Sequence, residues 1–207
     1  MSQTRRPVVA VLDYGIGNLR SAQKGLERVG AEAHLTADPE LIRRAHGLVL
    51  PGVGAFGPCM AALEDAGLDS EARRAVAAGV PFLGICIGMQ MLFEGSEEAP
   101  GRAGLGLLPG QVRRLPDGLK RPQMQWNQLN VQRPDPLLAG LDGAWVYFVH
   151  SYAPDTTGTT IATCDYGGPV TAVAADGVVR GVQFHPEKSG TEGLHLLANF
   201  VAMLAAR

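Results

Sequence analysis

Four short strand-like runs, at residues 8–14, 32–36, 47–50 and 80–85, limit what this sequence can fold into more than any other feature. Three of them are almost wholly Val, Leu, Ile, Ala and Phe, with no polar residue at alternate positions to face water. A strand without a solvent face must be covered on both sides, and this is the condition of a parallel sheet flanked by helices. The intervening stretches are read as helices. Asn18 is placed to cap one that stops at Gly30, Asp38-Pro39 opens a second, and residues 58–78 are helical. Past residue 105 the rhythm changes to strand after strand, at 111–115, 144–151, 160–166, 169–175 and 178–184. The turns Tyr166-Gly167-Gly168-Pro169 and Asp176-Gly177 are hairpin signals. A last helix is expected over 190–205. The predicted fold class is α/β, with a central mostly parallel sheet flanked by helices and an antiparallel strand extension in the second half. Residues 1–207 form a single domain in this reading.

Charge and cysteine usage exclude several classes of function. Eighteen basic and 20 acidic residues leave a net charge of −2, which gives no electrostatic reason to bind nucleic acid or an anionic membrane. Arg5-Arg6 precedes an apolar run, but Asp13 ends that run too early for a secretion signal, and no stretch reaches the ~18 apolar residues of a membrane span. The three cysteines, Cys59, Cys86 and Cys164, are far apart and lack metal-ligand spacing. A soluble cytoplasmic protein without metal or cofactor is expected. Glycine is the unusual component: 27 of 207 residues, about twice the ~7% average. There is no repeat to absorb it, so these glycines are expected at turns and close backbone approaches.

Two such glycines bracket Cys86. The run Val80-Pro81-Phe82-Leu83-Gly84-Ile85-Cys86-Ile87-Gly88-Met89-Gln90 takes a buried strand into G-x-C-x-G, with a helix expected over 89–94. This is the pattern of a nucleophile elbow carrying a thiol, where a Cβ at 84 or 88 would strike neighbouring backbone. A helix N-terminus beneath a thiol favours thiolate, and the Ile87 amide points to where an oxyanion would form. The competing reading is a cysteine buried for packing, the reading adopted for Cys59 and Cys164.

A thiol nucleophile calls for a base. His34 and His46 read as structural or solvent-facing, His195 as exposed on the last helix, and His150 as ambiguous. His185 leaves a strand directly into Pro186-Glu187, and the proline fixes imidazole and carboxylate relative to one another. Glu187 can then hold the imidazole tautomer, the third role of a triad. A second glycine loop, Pro51-Gly52-Val53-Gly54, ends the strand 47–50 at the same carboxyl edge of the sheet. Its Gly52-Val53 amide is read as the second oxyanion donor, and Gly52 as the freedom for that peptide to flip. No Lys-Ser/Thr follows the loop, which excludes a Walker phosphate site, and Gly15-x-Gly17-x-x-Arg20 lacks the third glycine of a dinucleotide fingerprint.

Together, GxCxGxQ at 84–90, PGVG at 51–54 and HPE at 185–187 resemble the class I (triad) glutamine amidotransferases over nearly the whole chain. Further stretches are similar to the glutaminase subunits of imidazole glycerol phosphate synthases: DYGIGNLRS at 13–21, YFVHSY at 147–152 and HPEKSG at 185–190. PQMQWN at 122–127 matches with Gln125 where glycine is usual, a departure that bears on local backbone shape. The resemblance implies that Cys86 attacks the side-chain amide of glutamine, with His185 as base and then acid and Glu187 orienting it. It implies that Gly54, Gln90, Ser151 and Tyr152 contact the substrate. Ammonia would pass to a (β/α)8 cyclase partner of histidine biosynthesis, met by Asn18, Met124, Trp126, Asn127, Tyr147 and Lys188. Rival readings are a glutaminase serving an anthranilate or pyridoxal phosphate synthase, a stand-alone cysteine hydrolase, and a non-catalytic binding module.

Overall fold

A computed structural model describes residues 6–205 of the chain, so Arg5 of the dibasic pair lies outside it. Its first half alternates strand and helix. β1 (Val8–Leu12) leads to α1 (Leu19–Arg28), β2 (Glu32–Thr36), α2 (Pro39–Arg44) and β3 (Gly47–Gly52). Two helices follow, α3 (Phe56–Asp65) and α4 (Leu68–Ala77), then β4 (Phe82–Cys86), which runs directly into the single turn α5 (Ile87–Gln90). The local causes are those expected at α2, where the Asp38 carboxylate accepts from the Glu40 amide at 3.0 Å and Pro39 occupies the first helical position. Every residue of β3 and β4 is buried, as strands covered on both faces must be.

The second half supplies β5 (Gly95–Ser96), β6 (Gln111–Arg114), β7 (Gln123–Gln128), β8 (Asn130–Val131), β9 (Trp145–His150) and β10 (Tyr152–Pro154). It continues through β11 (Thr160–Asp165), β12 (Pro169–Asp176), β13 (Val179–Val182) and the closing helix α6 (Gly190–Ala205). The main sheet has eight strands in the order β2-β1-β3-β4-β13-β12-β11-β8. Pairing is parallel from β2 through β13 and antiparallel from β13 to β8. The expected antiparallel extension is therefore β12, β11 and β8. The other strands foreseen in this half, 111–115 and 144–151, do not join that sheet. β6 sits between β10 and β5 in a three-stranded sheet, and β9 pairs with β7 in a two-stranded ribbon.

Three expectations are corrected here. β7 was not foreseen, because Gln-Met-Gln-Trp-Asn-Gln sets only Met124 and Trp126 among four polar residues; it exists through six consecutive register pairs with β9. Gln125 sits in that regular ladder opposite Phe148, so the departure from glycine is absorbed by an ordinary strand. The helix foreseen over 89–94 stops at Gln90. The carbonyls of Met91, Leu92 and Phe93 accept instead from Leu105, from Leu107 and Leu108, and from Gly106, which ends the helical ladder.

β3, β4 and β13 lie side by side and point the same way, so Gly52, Cys86 and the segment after Val182 emerge at one edge. Among the described residues no helix is long and apolar enough to cross a membrane. Close approach at this edge depends on glycine: a Cβ at Gly84 would lie 2.6 Å from the Gly88 carbonyl oxygen, and one at Gly88 would overlap the Leu50 carbonyl oxygen. Gly88→Ala is expected to lose about 1–3 kcal/mol of stability or more. Gly158→Ala, where nothing lies within 4 Å and φ is not positive, should be neutral or slightly stabilising. Urea unfolding of the two variants checks the contrast.

Candidate active site

Cys86 has φ 56° and ψ −114°, and it is the one non-glycine residue at positive φ among the described residues. That conformation costs on the order of 1–3 kcal/mol and persists where surrounding packing over-determines it. Here β3 lies so close to the elbow that a Cβ at Gly52 would sit 2.7 Å from the Gly88 nitrogen, 2.9 Å from Ile87 Cβ and 3.0 Å from the Tyr14 hydroxyl. The thiol is thus presented at the end of β4, over the first turn of α5.

Beside it stands His185, whose imidazole feels the Cys86 sulfur on one side. On the other, His185 Nδ1 lies 2.7 Å from Glu187 Oε1, and both side chains are almost wholly buried. Burial is the largest single influence on this imidazole and works against its charge. The bonds to the Cys86 sulfur and the Glu187 carboxylate together outweigh it, raising the pKa to about 9. Glu187 Oε1 also accepts from Asn18 Nδ2 at 3.3 Å. Asn18 was expected to cap α1, but its side chain makes no capping bond; its amide is spent on the carboxylate instead. The short 3-10 turn Pro186–Lys188 carrying Glu187 is stitched to β9. The His185 amide donates to the Tyr147 carbonyl at 3.0 Å, the Tyr147 amide to Ser189 Oγ at 3.0 Å, and Ser189 Oγ to the His185 carbonyl at 2.7 Å.

Cys86 and His185 open onto a cavity of about 330 Å³, of a size for a small metabolite. Val53, Gly54, Ile87, Gln90, Ser151, Tyr152 and Lys188, all singled out in the sequence, line it, while Gly52 pairs with Cys86 just beneath. Gln90 is wholly buried, and its Nε2 is already committed, donating to the Tyr152 carbonyl at 2.9 Å and to Gln183 Oε1 at 3.1 Å. Its Oε1 has no partner. His150, ambiguous in the sequence, also lines the cavity. Burial chiefly, then the charge of His185, pushes its pKa down to about 4 against the raising effect of a bond to Tyr152. The ring is therefore neutral, and Nδ1 donates to the Tyr152 carbonyl at 2.8 Å.

The residues assigned to a partner separate into groups. Met124 and Trp126 stand exposed on the outer face of the β7/β9 ribbon, at 61% and 47%, and Trp126 meets Tyr147 edge-on at 6.1 Å. Trp145, which the sequence reading passed over, extends this face at 53% exposure. Asn127 lies on the opposite face of its strand, where its amide donates to the Asp165 carbonyl at 2.7 Å. Asn18 and Lys188 are at the triad turn. Sequence reasoning also missed Gln183, whose Nε2 lies 3.9 Å from Cys86 Sγ. The available signal was a glutamine between the apolar Val182 and Phe184, two residues before the histidine.

An elbow thiol, a buried imidazole and an orienting carboxylate can cleave an amide through a covalent acyl intermediate. Residues 10–204 match the family described as Glutamine amidotransferase class-I. The chain belongs to the class I glutamine amidotransferases. Imidazole glycerol phosphate synthase subunit HisH of Synechococcus elongatus is 52% identical to this amidotransferase over 207 residues, covering 97% of this chain and 95% of that one. The HisH subunits of Natronomonas pharaonis and Bacillus cereus are 52% and 47% identical, with at least 95% of each chain covered. A glutamine amidotransferase crystal structure at 24% identity superposes with a TM-score of 0.76, covering 96% of this chain and 99% of that one. PurLQS from Thermotoga maritima, at 21% identity, does so with 0.78 over 97% and 100%. These two share the fold.

The electrostatics of the amidotransferase site give a signed expectation. The His185 imidazole should titrate near pH 9 by NMR and fall well below that in Cys86→Ala, where burial loses its main opponent. A base raised from 6.5 to about 9 on folding contributes stability in full below pH 6.5 and loses it as pH rises through 9. The melting-temperature advantage of the wild type over Cys86→Ala should therefore shrink across that window.

Proposed function

We propose that this chain is the glutaminase subunit of an imidazole glycerol phosphate synthase, producing ammonia from glutamine for a (β/α)8 cyclase in a cytoplasmic complex. The observation that carries the reading is one coincidence. Full-length identity of about half to HisH subunits accompanies a thiol, imidazole and carboxylate assembled at the wall of a metabolite-sized cavity.

Glutamine enters with its carboxamide carbonyl toward the amides of Val53 and Ile87, while Gly54, Gln90, Ser151 and Tyr152 hold the rest of the molecule. Cys86 Sγ attacks the carbonyl carbon, and negative charge collects on the oxygen between the two amides, each donor there being worth roughly 3–4 kcal/mol of barrier. His185, its proton retained at neutral pH, gives that proton to the departing amine, so ammonia leaves and a glutamyl thioester remains on Cys86. His185 then takes a proton from water, which attacks the thioester; glutamate leaves, and the sulfur is expelled as thiolate beside the reprotonated imidazole, the pair that opened the cycle. Glu187 keeps Nδ1 occupied throughout, which directs Nε2 to the reacting atoms.

A glutaminase that feeds a partner should idle without it. Rotation of the Gly52-Val53 peptide would remove one donor, and each tenfold of regulation requires ~1.4 kcal/mol. The neighbours of that peptide are pinned: the Tyr14 hydroxyl donates to the Pro51 carbonyl at 2.7 Å, and the Cys59 thiol to the Val53 carbonyl at 3.3 Å. Motion is thereby confined to the peptide between them. The exposed Met124, Trp126 and Trp145 form the docking face, and that exposure speaks against a stand-alone hydrolase. Tyr147, tied by its backbone to His185 and Ser189, connects that face to the triad turn.

The test is reconstitution with a histidine-pathway cyclase. Glutamine hydrolysis should rise at least tenfold when cyclase and its nucleotide substrate are added. Cys86→Ala should abolish it while added ammonium still supports the cyclase. Equal rates for the isolated chain and the complex would contradict the proposal.

A further inference from the structure

Gln183 has no part in the mechanism above, yet it is wholly buried beside the nucleophile. It follows Val182, which pairs with Ile85, so the parallel register of β13 and β4 sets Gln183 next to Cys86. A carboxamide has a donor end and an acceptor end, and which end meets the sulfur decides whether thiolate is held or repelled. The surrounding hydrogen bonds settle that orientation from the backbone outward.

The Tyr152 carbonyl can only accept. It takes the Gln90 NH2 at 2.9 Å and His150 Nδ1 at 2.8 Å. Gln90 must therefore turn its nitrogen toward Tyr152, and the same NH2 donates to Gln183 Oε1 at 3.1 Å. With its oxygen engaged there, Gln183 turns its own NH2 the other way, 3.9 Å from Cys86 Sγ. Polarity passes from one carbonyl through two amides to the sulfur. A flipped Gln183 would face the Gln90 NH2 with its own NH2 and aim its oxygen at the thiolate, leaving both contacts repulsive.

We infer that Gln183 is a further residue of the active site: its amide, oriented by Gln90 and the Tyr152 carbonyl, donates to the Cys86 sulfur and holds it in the nucleophilic form. The inference rests on Cys86 being the nucleophile. It also links the 151–152 segment, which lines the cavity, to the reactivity of the sulfur, since displacing the Tyr152 carbonyl removes the anchor that sets both amides. Gln90 acts through Gln183 here and is a positioning residue.

Two variants separate this role from packing. Gln183→Glu keeps the shape and the acceptor for Gln90 but places a carboxylate oxygen against the sulfur, and Gln183→Met keeps the length without a donor. Both should slow alkylation of Cys86 by iodoacetamide at pH 7 by roughly tenfold or more. In the complex with cyclase both should lower kcat for glutamine by a similar factor, with KM within about twofold of wild type. Gln90→Met should also slow alkylation, although Gln90 does not touch the sulfur. The double variant Gln90→Met/Gln183→Met should be no slower than Gln183→Met alone, because both changes interrupt one chain of bonds. Wild-type alkylation rates in Gln183→Met, or additive losses in the double variant, would overturn the inference. Failure of the wild-type complex to hydrolyse glutamine would instead strike the glutaminase reading, because alkylation reports the sulfur without it.

Discussion

The site depends on how closely the end of β3 approaches the elbow after β4. Gly52, Gly84 and Gly88 leave no room for a Cβ against backbone atoms, and that closeness holds Cys86 at φ 56°. Relaxing the contact would let the thiol return to an ordinary strand conformation, pointing along the sheet instead of over its edge. Because the constraint is backbone against backbone, it also sets the spacing between the Gly52-Val53 peptide and the Ile87 amide. The strain at Cys86 and the placement of the two amides proposed as oxyanion donors have one physical origin.

Two histidines at the same cavity show how partners decide whether burial prevails. Both are buried, and burial disfavours the charge of each. His185 has a sulfur on one side and a carboxylate on the other, and it is raised to about 9. His150 has only the Tyr152 carbonyl to set against burial and a cationic neighbour, and it is lowered to about 4. One keeps its proton at neutral pH, as the proposed role of proton carrier requires, and the other is a neutral donor that helps fix the Tyr152 carbonyl. Groups whose environments drive their pKa values apart in this way divide the work of a site between them.

Much of this was legible in the chain before any coordinates. Continuous apolar runs betray parallel strands because such strands have no wet face, and the glycines around Cys86 betray an elbow because no other residue fits. HPE was legible because proline fixes the distance between imidazole and carboxylate. What was not legible depends on contacts between distant residues. β7 is mostly polar, its Met124 and Trp126 face outward, and it is a strand through pairing with β9. The helix after the elbow ends at Gln90 because carbonyls 91–93 are claimed by residues 105–108. Asn18 carries every local mark of a helix cap, yet its amide is taken by a carboxylate 169 positions away. Gln183 reads as one polar residue in a strand until the register shows that its neighbour is Cys86.

The most direct test of the account is covalent. The complex with cyclase is mixed with glutamine, quenched in acid within milliseconds to seconds, and analysed by peptide mass spectrometry. The account predicts a glutamyl adduct on the peptide carrying Cys86, absent from those carrying Cys59 and Cys164, that accumulates and then decays as glutamine is consumed. Glutamine turnover with no adduct on Cys86 at any time, or with the acyl group on another residue, would contradict it.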